Sequence, residues 1–118
     1  MVMLNLSQTL LLFLTVAGLS VGQILFKLAA IRMDETLPIV SRWLGNAPMM
    51  MALVVYGLAT VCWIHVLKQV PLRLAYPFAA LAFFMVPLLS HWILGDILTW
   101  RTMLGACIIG LGVWVSVS

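Results

Sequence analysis

Ser20, Gln23 and Lys27 stand at i, i+3 and i+7 inside an otherwise apolar stretch, the spacing of one helix face. A hydroxyl, an amide and an ammonium in that order suit an anionic cargo, held by charge and hydrogen bonds. An ionisable side chain inside a membrane segment is costly unless paired, hydrated or snorkelled, which makes Lys27 a functional candidate. Its place near the end of the stretch leaves snorkelling to the interface as the competing role. Gln23 lies deeper and favours a polar cavity on that face, or a hydrogen bond across helices.

A second group, Arg73-Leu74-Ala75-Tyr76-Pro77, opens another apolar stretch. Tyr76 there is either a headgroup contact or a belt aromatic. Pro77 and Pro87 each remove a backbone donor and predict hinges in that helix. Tyr56, Thr60 and Trp63 share a face at i, i+4 and i+7, either packing or lining a cavity.

The absences narrow the chemistry. Asp34, Glu35 and Asp96 all lie between the apolar stretches, so no span carries the carboxylate that a proton-driven exporter of lipophilic cations requires. No Ser/His/Asp or Cys/His set and no phosphate-cradling glycine loop is present, so neither catalysis nor a cofactor is predicted. His65 and His91 have no carboxylate or cysteine at ligand spacing, and no metal site is predicted. Cys62 and Cys107 lie within apolar runs and read as small buried hydrophobes.

These residues need a scaffold, and composition names it. Of 118 residues, 65% are hydrophobic and 8% charged, with mean hydropathy +1.22. Too few charges remain to cover a soluble globule. Secreted miniproteins, disordered chains and nucleic-acid binders are excluded with it, the six basic residues being scattered rather than arranged as a stripe. Charge-free stretches run over 3–26, 43–67, 74–95 and 102–118. About 20 apolar residues cross a bilayer as helix, so the chain reads as an all-α, polytopic membrane protein. One membrane domain is expected, with helices near 3–30, 44–67, 73–94 and 98–117. The start lacks a basic leader region and reads as mature structure.

Ile31 to Gly45 is the longest polar connection, Lys68 to Arg73 a tight turn, and Gly95-Asp96 begins the third, flanked by Trp92 and Trp100. Lys68 and Arg73 on one side face Lys27, Arg32, Arg42 and Arg101 on the other. That balance weakly favours the first and third loops in the cytoplasm and permits insertion both ways round.

Four packed helices leave room for side chains and little else. A path for a polar solute therefore calls for a second copy or a sister subunit. Gly18 and Gly22 form a GxxxG, and Gly105 and Gly112 stack two turns apart. Such glycines pack helices closely, within a subunit or between subunits, and the fourth helix is the dimerisation candidate.

Val21-Gly22-Gln23-Ile24-Leu25-Phe26-Lys27, Val66-Leu67-Lys68-Gln69-Val70-Pro71, Leu74-Ala75-Tyr76-Pro77 and the stretch from Gly105 to Gly112 recur in register. Together they resemble the four-helix members of the drug/metabolite transporter superfamily. Small multidrug resistance proteins share the Gly-to-Lys spacing and the Ala-Tyr. Their hallmark glutamate would fall at Leu19 and their third-helix tryptophan at Ala79, which argues against drug export. The Gly-Gln…Lys and Ala-Tyr-Pro pairings resemble the subunits of the 4-amino-4-deoxy-arabinose-phosphoundecaprenol flippase. That resemblance implies a bacterial inner-membrane subunit, dimerising antiparallel with itself or a sister, that moves a glycosyl-phosphopolyprenol between leaflets among membrane lipids. It implies Gln23, Lys27 and Tyr76 as cargo contacts. The expected substrate-binding set adds Ser20, Trp63 and Arg73. The rivals are a transporter of another small solute and a non-transporting subunit of a glycolipid complex.

Overall fold

The computed structural model describes residues 4–118, and among these the secondary structure is entirely helical. Helix α1, Leu6–Ile31, starts at a reciprocal cap: Asn5 Oδ1 accepts from the Gln8 amide at 2.8 Å, and Gln8 Oε1 accepts from the Asn5 amide at 3.1 Å. Two otherwise orphaned donors are thereby satisfied. The expected start at Met3 lies outside the described residues.

The first connection is not simply a polar loop. It carries a short helix, α2, Ile39–Leu44. Helix α3, Ala47–Leu67, then begins after the N-cap Asn46, with Pro48 in its first turn, where a missing amide donor costs nothing. The Asn46 side chain does two things at once. Its Oδ1 accepts from the Met49 amide, and its buried Nδ2 donates to the Ala29 carbonyl at 2.7 Å. The start of α3 is thus tied level with the end of α1. Beside it, Asp34 accepts from the Thr36 hydroxyl and amide, which hold its carboxyl below the ordinary value.

The third span, Leu72–Leu94, corrects the expectation of one helix hinged at its prolines. It consists of α4, Leu72–Ala79, α5, Ala82–Leu89, and a π-helical turn, Ser90–Leu94. The interruption falls at Ala80–Leu81, between the prolines. Ala80, Leu81, Phe83 and Phe84 bond the carbonyls three residues back at 3.0–3.1 Å, the tighter pattern of a 3₁₀ helix. After Pro87 the helix widens instead. It ends at Gly95, whose φ of 74° lies in the left-handed region that glycine enters without steric penalty. Helix α6, Trp100–Val117, starts from the Thr99 cap.

Leu6–Ile31, Ala47–Leu67 and Leu72–Leu94 are each long and apolar enough to cross a membrane, and α6 is shorter. Helix α1 is central, packed along α3 on one side and against α4 and α5 on the other. Helix α6 lies beyond, against α4 and α5. The bundle measures 55 × 36 × 18 Å, and its thin dimension is less than two helix diameters. A cluster of Leu12, Val66, Val70, Leu74 and Ala75 seals the end beside the second loop. There Gln8 Nε2 also donates to Gln69 Oε1 at 3.2 Å.

Candidate functional site

The seal is one-ended, and that shapes the site. Helix α3 meets α4 near the second loop but has no comparable contact with α5. Along its second half, α1 faces α5 across an apolar crevice. Gln23 lies on the α1 side and lines a cavity of about 370 Å³ with Ala82, Phe83, Val86 and Pro87. Its amide is the polar group in an otherwise apolar lining. Lys27 follows one turn on, about 6 Å nearer the open end, and its side chain is exposed.

Tyr76 is elsewhere. It is exposed and lines a second cavity, of about 170 Å³, with Pro77, Ala79, Ala80 and Phe83. Phe83 walls both cavities. The Phe13 and Phe78 rings pack edge to face at 5.9 Å, which places Tyr76 level with Leu11. Lys27 is then roughly 24 Å further along the bundle, at about 1.5 Å per residue. Within this chain one small group cannot touch both.

Of the three residues sharing a face by spacing, the structure separates one. Ser20 is fully buried, and its hydroxyl donates to the Val16 carbonyl at 2.7 Å. It closes a bond within its own helix, so only Gln23 and Lys27 remain together. Trp63 packs against the sealed-end cluster, and exposed Arg73 stands in the first turn of α4 at that same end. Neither is near Gln23. Pro87 lines the Gln23 cavity and Pro77 the Tyr76 cavity.

The two glycine pairs have different uses. A Cβ on Gly18 would meet the Ala59 Cβ at 3.1 Å, and one on Gly22 would meet the Tyr56 ring at 2.9 Å. That GxxxG serves α1 against α3. Tyr56 also packs on Phe26, ring centroids 5.6 Å apart, while Thr60 turns its hydroxyl back to the Tyr56 carbonyl at 2.9 Å. Nothing lies within 4 Å of a Cβ built on Gly105 or Gly112. Helix α6 instead turns Ala106 and Gly110 inward, Gly110 beneath the Phe84 ring.

Sequence reasoning did not single out Asn46 or the cavity walls Ala82, Phe83 and Val86. The Asn-x-Pro pattern before an apolar run signals a helix cap but does not reveal the partner at Ala29. The cavity walls carry no local signal, because what distinguishes them is facing Gln23.

The chain is 31% identical over 107 residues to the probable 4-amino-4-deoxy-L-arabinose-phosphoundecaprenol flippase subunit ArnF of Erwinia tasmaniensis, covering 83% of this chain and 84% of that protein. It is 30% identical over 102 residues to the probable flippase subunit ArnE of Pectobacterium atrosepticum, covering 81% and 85%. To the ArnE of Serratia proteamaculans it is 36% identical over 72 residues, covering 61% and 58%. No protein-family model matches the chain, and no solved structure does.

Proposed function

Because the chain belongs to the family of 4-amino-4-deoxy-L-arabinose-phosphoundecaprenol flippase subunits, we propose that it is one half of a flippase for a polyprenyl-phosphate-linked sugar of the aminoarabinose type, working in the bacterial inner membrane. What supports this reading best is the crevice, with an amide on its α1 side, an ammonium one turn toward the opening and apolar walls elsewhere. Carrying an unpaired phosphodiester through hydrocarbon costs many kcal/mol in lost solvation. Lys27 offsets part of that by pairing with the phosphate, and Gln23 hydrogen-bonds phosphate or sugar oxygens. The polyprenyl chain stays outside, among lipids.

A slab 18 Å thick encloses no interior, so the crevice needs a second wall. We assign that wall to a second four-helix subunit, a sister or a copy, inserted the other way up. When the partner is a copy, inversion brings Tyr76 of the partner subunit to the level of Lys27, which places both polar ends within reach of one cargo. The broken third span, with its interruption at Ala80–Leu81, flexes as each half rocks against the other. Pairing runs through the open glycines of α6. Changing Gly105 and Gly112 together to Leu is expected to halve the mass seen by native mass spectrometry from nanodiscs, and an unchanged mass removes α6 from the interface.

The function is tested in proteoliposomes containing the chain and its sister subunit, loaded with aminoarabinose-phosphoundecaprenol. An impermeant amine-reactive reagent reads the cargo in the outer leaflet. Labelling beyond the initial outer-leaflet fraction is expected only with protein, and a rate equal to protein-free vesicles overturns the reading.

A further inference from the structure

The first connection holds a surface that neither crosses the bilayer nor folds back on the protein. In α2, Ile39 is 69% exposed, Val40 66%, Leu44 64% and Trp43 45%. At helical spacing these four fill one side, with Ser41 and Arg42 on the other. Arg42 turns away from the apolar side, its guanidinium donating to the carbonyls of Glu35 at 2.9 Å and Leu37 at 3.0 Å.

The level of this helix is set by its neighbours. Asn46, two residues after α2, is bonded to Ala29 in the last turns of α1. Arg32, Asp34 and Glu35 crowd the same stretch, which puts it at the boundary between hydrocarbon and water. Ile31, at the end of α1, is 63% exposed and Met51, in the second turn of α3, is 56% exposed. Both belong to the apolar spans that α2 connects, so exposed apolar side chains flank α2 on either side in the chain. A tryptophan at that depth has its preferred surroundings, ring in the apolar zone and N–H toward headgroups.

We propose that α2 is a membrane-surface helix. It lies in the interfacial plane of one leaflet, with Ile39, Val40, Trp43 and Leu44 sunk among the upper acyl segments and Arg42 at headgroup level. Its partner is the lipid surface itself. This placement does not depend on any cargo. It holds the mouth of the crevice, on the same side as Lys27, at the depth where lipid headgroups reside.

The test leaves Trp43 as the only tryptophan, with Trp63, Trp92, Trp100 and Trp114 changed to Phe, in phosphatidylethanolamine/phosphatidylglycerol nanodiscs. Lipids brominated high on the acyl chain are expected to quench Trp43 more than lipids brominated near the terminal methyl, and aqueous acrylamide least. Adding Ile39→Asp and Leu44→Asp is expected to abolish the lipid quenching. Strongest quenching by acrylamide puts α2 in water and overturns the proposal. Protection from both lipid and aqueous quenchers means that a protein surface covers it, and overturns it equally. Should the four-Phe variant not fold, a spin label at Val40→Cys, with Cys62 and Cys107 changed to Ser, makes the same decision. Collisions with oxygen above those with a water-soluble nickel chelate are expected, and the reverse order overturns it.

Discussion

Lys27→Met is expected to slow cargo translocation on the order of 30-fold to several thousand-fold without changing the assembly or its thermal transition. The side chain is exposed and makes no side-chain hydrogen bond among the described residues, so its removal spares the fold. On the proposed function, what it removes is the charge opposite the cargo phosphate. Leaving one partner of a desolvated charge pair alone costs about 2–5 kcal/mol, and each 1.4 kcal/mol is about tenfold. Lys27→Arg keeps the charge and is expected to retain most of the rate, whereas an ammonium that only snorkels tolerates Met as well as Arg. Initial rates in proteoliposomes decide between these, together with subunit mass and melting in detergent. Equal rates for Met and Arg remove Lys27 from the cargo path. Gln23→Ala, which takes the amide from the crevice but leaves the charge, is expected to have a smaller effect of the same sign.

The second large effect falls on stability. Gly22→Leu is expected to destabilise the subunit by about 1–3 kcal/mol, the usual range for forcing volume into a packed interface, because the new Cβ would stand 2.9 Å from the Tyr56 ring. That ring is held in turn against Phe26, so it cannot retreat freely. Gly105→Leu, whose Cβ meets nothing within 4 Å, is expected to leave the monomer's unfolding unchanged. Denaturant titration of the two variants separates these outcomes. In a Tyr56→Ala background Gly22→Leu is expected to cost less than in the parent chain, the coupling of neighbours in contact. Equal melting of Gly22→Leu and Gly105→Leu refutes the assignment of the GxxxG to the α1–α3 seam.

The bilayer-crossing helices were legible because their signal is local. A run such as Leu10 to Leu14 or Met49 to Val55 adds up its own transfer free energy, whatever lies beside it. Gln23 and Lys27 were legible for the same reason, as polar groups one turn apart in a stretch that is otherwise apolar. Ser20 was not, since spacing puts it on their face while packing hides it and Val16 occupies its hydroxyl. The break in the third span was misplaced because proline only removes a donor, and where the chain yields depends on the neighbours of Ala79, Ala80 and Ala82. The apolar side of α2 was hidden by Arg32, Asp34, Glu35 and Arg42, whose charges dominate a composition count over that connection.

Sequence alone therefore determined that this chain is helical, crosses a membrane several times and carries an amine in place of an acid within its spans. Each of these follows from residues summed along one segment. Only the tertiary structure decided which polar side chains keep company. It set Lys27 and Tyr76 at opposite ends, spent one glycine pair inside the subunit and left the other open. The reason is that helix direction and the partner across a seam are properties of two segments at once, and no single stretch of residues encodes them.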